Sequence, residues 1–200
     1  RAARFIAKNR SGSPEKSGFE ATAKNILAAD QRLLNSLLSN ENNVEEQTAR
    51  ARRRMSEKGG AIRNGQKIAE ALKETKQQLE SFENFVGARG CEGLAKAFRL
   101  RDTLVSQLVY LSAMEHYAKL GGASRGSYIC CDKDGILPEG LEEQFRFSKP
   151  SAETQPKITE VLFNEQRVQC EFSELPRPLP QGGGFFENVW RDYRKNGNVY

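Results

Sequence analysis

Leu94-Ala95-Lys96-Ala97-Phe98-Arg99-Leu100-Arg101-Asp102-Thr103-Leu104-Val105-Ser106-Gln107-Leu108-Val109-Tyr110-Leu111-Ser112-Ala113-Met114 decides the fold. Its apolar set is Leu94, Ala97, Phe98, Leu104, Val105, Leu108, Leu111 and Met114, at the intervals of an amphipathic helix. No Gly or Pro interrupts it between Leu94 and Leu120, and Gly121-Gly122 supplies a stop. The pattern predicts one helix from Glu92 to about Leu120, entered through Gly87-Ala88-Arg89-Gly90. Toward the N-terminus, Ile68, Leu72, Leu79, Phe82 and Val86 repeat at helical intervals after a break at Asn64-Gly65. A further helix is predicted from Val44 to about Lys58, ending at Gly59-Gly60. Its few apolar positions (Val44, Ala51, Met55) place it on a surface. Before it, Phe19, Ala23, Ile26, Leu27, Leu33, Leu34, Leu37 and Leu38 describe one helical face of about five turns, closed by Ser39-Asn40-Glu41-Asn42-Asn43.

Three long stripes joined by short polar connections bury each other most economically in an antiparallel bundle. The expected fold class is all-α: a three-helix, antiparallel bundle followed by an irregular tail. In that tail, Ile158–Phe163 and Arg167–Phe172 flank Asn164-Glu165-Gln166 and predict a short hairpin. Pro176-Arg177-Pro178-Leu179-Pro180 is extended and Gly182-Gly183-Gly184 a joint. Phe185, Phe186, Val189, Trp190 and Tyr193 then form the apolar face of a terminal helix that needs a surface to cover. At the other end, Arg1-Ala2-Ala3-Arg4-Phe5-Ile6-Ala7 reads as the middle of an amphipathic helix, and Ser11–Gly18 as a loop. The chain is therefore expected to be part of a longer polypeptide.

The chain has 200 residues, 38% hydrophobic and 28% charged, with 31 Lys+Arg against 26 Asp+Glu. That suffices for one core, is polar for a large α/β enzyme, and is too mildly basic to imply nucleic acid. No apolar run approaches the roughly 18 residues of a membrane-spanning helix. Four cysteines, none in a CxxC pair, point to a reducing cytoplasm rather than a disulfide scaffold.

Few residues here offer chemistry. Arg50-Ala51-Arg52-Arg53-Arg54 could meet phosphates, but Glu45, Glu46 and Glu57 flank it and no aromatic interleaves it, as in a solvated or subunit-facing helix surface. His116 is the only histidine, so no imidazole-based metal site can be built. A reactive Cys130 or Cys131 would need a cationic neighbour, with Arg125 and Lys133 nearby in sequence. There is no GxGxxG after a strand, no P-loop and no GxSxG. No catalytic, cofactor or metal residue is assigned.

Read in order, four segments resemble one family: the flavoproteins of fumarate reductase and succinate dehydrogenase, together with L-aspartate oxidase. Arg1–Ala7 is similar to the helix that ends the family's FAD-binding domain. Ala51–Arg63 resembles its Met-x-x-x-x-Gly-x-Ile-Arg segment, and Leu94–Leu111, with Phe98-Arg99-Leu100-Arg101-Asp102, its Glu-x-Arg-Asn-type helix. Ser124-Arg125-Gly126-Ser127-Tyr128 is similar to its Ser-Arg-Gly-Ala-His signature, departing from it at Tyr128, with Cys130 standing where a second Arg is usual. The resemblance covers about residues 1–134. It implies a spectrin-repeat-like helical domain that packs on an FAD-binding domain, with Ser124, Arg125, Gly126 and Asp132 as domain-contact positions. It divides the chain into 1–16 (end of an FAD-binding domain plus linker), 17–134 (bundle) and 135–200 (tail with hairpin and terminal helix). FAD belongs to the parent rather than to this chain; the partners are the FAD-binding domain and an electron-transfer subunit, with no nucleic acid and no transmembrane segment. The alternative is a stand-alone helical module that binds an acidic partner through Arg50–Arg54.

Overall fold

The computed structural model describes residues 16–122, 124, 128–149, 157–164 and 167–174. Their order is α1 (Lys16–Ser39), α2 (Val44–Lys58), β1 (Ile62–Arg63), α3 (Gly65–Glu80), α4 (Phe82–Phe85), α5 (Gly90–Lys119), β2 (Ile129–Ile136), a 3-10 turn (Glu143–Phe145), β3 (Lys157–Asn164) and β4 (Arg167–Glu174). The described residues are mostly helical with a small β-hairpin. Of the described residues 63% are helical and 19% lie in strands, and four of their helices have 15 residues or more, so the helical part of the expected class holds while the all-α label and the three-helix count are not established. The predicted helix over 68–86 breaks at Ser81, and the predicted surface helix is half-embedded. The N-terminal stub, Arg125, Gly126 and the aromatic terminal helix lie outside the described residues.

The chain contacts divide into two compact units. In the first, made of residues up to 50 and 77–103, the buried apolar residues include Leu33 and Leu37 of α1, Val44 of α2, Phe82 of α4, and Ala97 and Leu100 of α5. The polar stretch after α1 is a clamp. Asn40 donates to the carbonyls of Glu83 and Val86, each at 3.0 Å, and Asn43 donates to that of Phe85 at 2.8 Å. Gly87 sits inside this clamp: its N–H donates to Asn43 Oδ1, and its carbonyl accepts from the N–H groups of Asn43 and Val44. A Cβ at Gly87 would overlap the Glu41 backbone.

In the second unit, residues 51–76 and 104 onward, Ala51, Ile68, Ala71, Leu72, Leu104, Leu108 and Leu111 are buried. Asn64 starts α3 as an N-cap, its side-chain oxygen accepting from the N–H groups of Gln66 and Lys67. α5 ends as predicted at Gly121 (φ 76°). Gly121 N–H donates to the Ala118 carbonyl and Gly122 N–H to that of Tyr117, the paired bonds of a Schellman stop. The hairpin also forms: β3 and β4 pair antiparallel from Lys157↔Glu174 to Asn164↔Arg167. Thr159, Val161, Phe163, Val168, Cys170 and Phe172 share one of its faces, and Phe172 meets His116 and Tyr117 edge-on at 5.3 and 5.9 Å. β1 pairs parallel with the start of β2, Ile62↔Ile129 and Arg63↔Cys130. Helical periodicity carries no trace of that pairing.

Candidate functional site

Two polar constellations stand out in the second unit. The first surrounds the signature segment. Ser124 is buried; its hydroxyl accepts from the Cys130 N–H at 2.9 Å and its own N–H donates to the Ser148 carbonyl at 3.3 Å. Ser148 N–H closes the ring by donating to the Cys130 carbonyl at 3.0 Å. Ser124 therefore ties the residues after α5 to both β2 and the segment around Phe147. Asp132 is exposed, and its carboxylate accepts from the Asp134 N–H at 3.1 Å, while its own N–H donates to the Arg146 carbonyl. Arg146 in turn donates to the Gly135 carbonyl and forms a two-pronged pair with Glu143. Ser124 and Asp132 thus anchor opposite ends of one short segment rather than converging on a common point.

Beside them, the Arg63 guanidinium lies 3.9 Å above the Tyr128 ring, and its Nε donates to the Gly60 carbonyl at 3.1 Å. Tyr128 meets Tyr117 edge-on at 6.3 Å. Burial pushes the half-buried Cys130 thiol up, an effect that nearby Arg63 opposes and Cys131 reinforces. The thiol is raised rather than lowered, the reverse of what activates a nucleophilic cysteine. Among the described residues no group of His, Cys, Asp or Glu is placed to hold a metal.

The second constellation escaped the sequence reading. Arg54 is buried, 3% exposed, although Arg50, Arg52 and Arg53 face water. Its guanidinium donates to Thr75 Oγ1 at 2.9 Å, Gln107 Oε1 at 3.1 Å and Glu74 at 3.3 Å. Gln107 passes the network on to the Ala51 carbonyl at 2.9 Å, and Thr75 donates to Ala71 at 2.8 Å. Lys58 closes it from outside, 2.6 Å from Glu74 and 3.6 Å from Glu70. The hydrogen bond from Lys58, with Arg54 adding to it, holds the Glu74 carboxyl below its ordinary range, and Glu74 holds the Lys58 ammonium above its own. α2, α3 and α5 are thereby cross-linked by groups that satisfy one another. The signal was present: Val44, Gln47, Ala51, Arg54 and Lys58 follow at spacings of three and four, a buried stripe written in polar and small residues.

The turn from β1 into α3 does not fit FAD. Dinucleotide binding needs a glycine-rich turn from a strand into a helix, with free amides at the helix N-terminus for the pyrophosphate. At the β1-to-α3 junction those amides are already taken by the Asn64 side chain, and the parallel pairing is two residues long.

No protein-family profile matches the sequence, and no curated protein matches it. Among solved structures, a variant of the FrdA chain of quinol fumarate reductase from E. coli matches with a TM-score of 0.52 at 20% identity. The match covers 86% of this chain and 28% of that chain. At this identity the likeness shows the fold: a predominantly helical arrangement like that of part of a fumarate reductase FrdA chain. The present chain spans little more than a quarter of that chain's length. No helix among the described residues is long and apolar enough to cross a membrane.

Proposed function

We propose that this chain is the helical domain of an FAD-dependent oxidoreductase of the fumarate reductase and succinate dehydrogenase type, packing on and stabilising an FAD-binding domain of the same parent polypeptide. The observation that carries the reading is the likeness to FrdA over 86% of the chain. Two of the segments that resemble the family in sequence have described residues at one parallel strand pairing, which supports the reading. The Met55–Arg63 segment leads into β1, and Ser124 and Asp132 brace the segment that pairs with it. The domain divides as 1–16, 17–134 and 135–200, works in the cytoplasm and leaves catalysis to the flavin-bearing part, where an electron-transfer subunit would dock. Ser124, Arg125, Gly126 and Asp132 shape the contact with the flavin domain and hold no cofactor. A stand-alone adaptor using the exposed Arg50, Arg52 and Arg53 is the competing class.

The test is the complete polypeptide that contains these residues. Purified from its natural cells, it carries FAD, released on denaturation and identified by its fluorescence. Deleting 17–200 lowers the fraction of flavin retained. A polypeptide free of flavin, with no GxGxxG motif after a strand, would establish the adaptor instead.

A further inference from the structure

α1 carries one apolar stripe along its length, but only the C-terminal end of that stripe is buried. Leu33 and Leu37 lie in the core of the first unit, whereas Phe19, Ile26 and Leu27 are 65%, 56% and 67% exposed. Phe19, Ile26 and Leu33 follow at intervals of seven, a drift of only about 20° per step on a straight helix, so the exposed residues continue the buried face. The three exposed side chains present roughly 350 Å² of apolar surface, the scale at which patches mark contact sites. About 25 Å of helix, residues 16–32, extends before the first buried position at the usual rise per residue, and so short a helix is marginal in water without tertiary support.

We infer that residues 19–32 of α1 are a second surface on which the flavin-bearing part of the parent polypeptide docks, in addition to the contact assigned to Ser124, Arg125, Gly126 and Asp132, an inference that rests on the function proposed above. Two copies meeting through this patch would bury about 700 Å² in total, short of the roughly 1,200 Å² of a stable bimolecular interface. A contact between parts of one chain needs less, because the linkage supplies a millimolar effective concentration. The FrdA chain that shares the fold has such a remainder, since the match occupies 28% of it. The rim of the patch carries both signs, Glu20, Lys24, Asp30 and Arg32, all exposed. That is the polar border of a protein contact and not the cationic face of a membrane-surface helix.

Hydrogen exchange on the complete polypeptide and on the 200-residue chain tests this. In the complete polypeptide, amides 19–32 exchange roughly tenfold or more slowly than in the 200-residue chain, independently of protein concentration. The double variant Ile26→Asp/Leu27→Asp restores fast exchange there and leaves amides 97–100, in the core of the same unit, protected, which shows that the fold of that unit is intact. Equal exchange in both proteins overturns the inference. Protection that rises with concentration assigns the surface to a second copy, and protection already present in the 200-residue chain assigns it to residues within that chain. Flavin content of the same samples separates the two levels of failure: flavin with an unprotected α1 refutes only this surface, and absence of flavin refutes the proposed function as well.

Discussion

Arg54→Ala, set beside Arg52→Ala two residues away, measures what the buried guanidinium contributes. The cost is not that of stranding a buried carboxylate, about 3–5 kcal/mol, because Glu74 is 36% exposed at its side chain and keeps Lys58 at 2.6 Å. Thr75 also keeps a partner in the Ala71 carbonyl. Gln107 Oε1 loses its charged donor, and a buried acceptor left unpaired costs about 1–3 kcal/mol. Loss of the buried aliphatic stem adds a cavity of about 1 kcal/mol or more. Arg54→Ala should therefore destabilise the chain by about 2–4 kcal/mol, which lowers Tm by roughly 4–16 °C for a chain of this size. Arg52→Ala, on the exposed side of the same helix, should stay within about 0.5 kcal/mol of the parent. Urea unfolding followed by helical circular dichroism reads both values, provided the slopes agree. Equal midpoints for the two variants would show that the network does not support the fold.

Ser124→Ala leaves the Cys130 N–H without its acceptor and should cost about 1–3 kcal/mol by the same urea assay. Gly87→Ala forces a Cβ into the Glu41 backbone, so the clamp around Asn43 should open, seen as faster amide exchange over 83–88. The Glu74 carboxyl is held low in the folded chain. Its contribution is thus present above the ordinary carboxylate range and lost as pH falls through the depressed folded value; Glu74→Gln should flatten that acid limb of the urea midpoint against pH. Lys58, held high, has the opposite sign: its contribution is complete below the ordinary lysine range and lost as pH rises through the elevated folded value. Cys91 is exposed while the Cys130 thiol is half-buried and pushed up, so a thiol reagent at neutral pH should label Cys91 first; preferential labelling of Cys130 would contradict the geometry around it.

Helices were legible in the sequence wherever large apolar residues marked a face or glycine marked an end. Leu104, Leu108 and Leu111 are buried as their spacing required, and Gly121 stops α5 with a positive φ. The two-residue gap in the β3–β4 register fits the break read at Asn164-Glu165-Gln166. What failed had specific causes. α2 was read as a surface helix because its buried stripe is Gln47, Ala51 and Arg54, residues whose burial depends on partners on other helices. α1 erred the other way: Phe19, Ile26 and Leu27 have the right spacing to be core, yet nothing in the described residues covers them. Phe98 of α5, counted among the apolar set, is exposed as well. Within the candidate site, Ser124 and Asp132 were located by resemblance, and their hydrogen-bonded roles depend on Cys130, Ser148 and Arg146, which no local pattern links to them.

The parallel pairing of Ile62–Arg63 with Ile129–Cys130 has a consequence for how the chain reaches its native state. Residues 64–128 separate the two strands in sequence, and the reward for closing that loop is a ladder of two residues. Chain entropy opposes so distant a closure until other contacts have brought the ends together. The β3–β4 hairpin, by contrast, joins residues adjacent in sequence and can zip on the microsecond scale. Folding is thus ordered by loop length: helices and hairpin first, and the β1–β2 seam, with Arg63 settling over Tyr128, among the last events. Substitutions at this seam should then accelerate unfolding and leave the folding rate nearly unchanged, marking it as a latch rather than a nucleus.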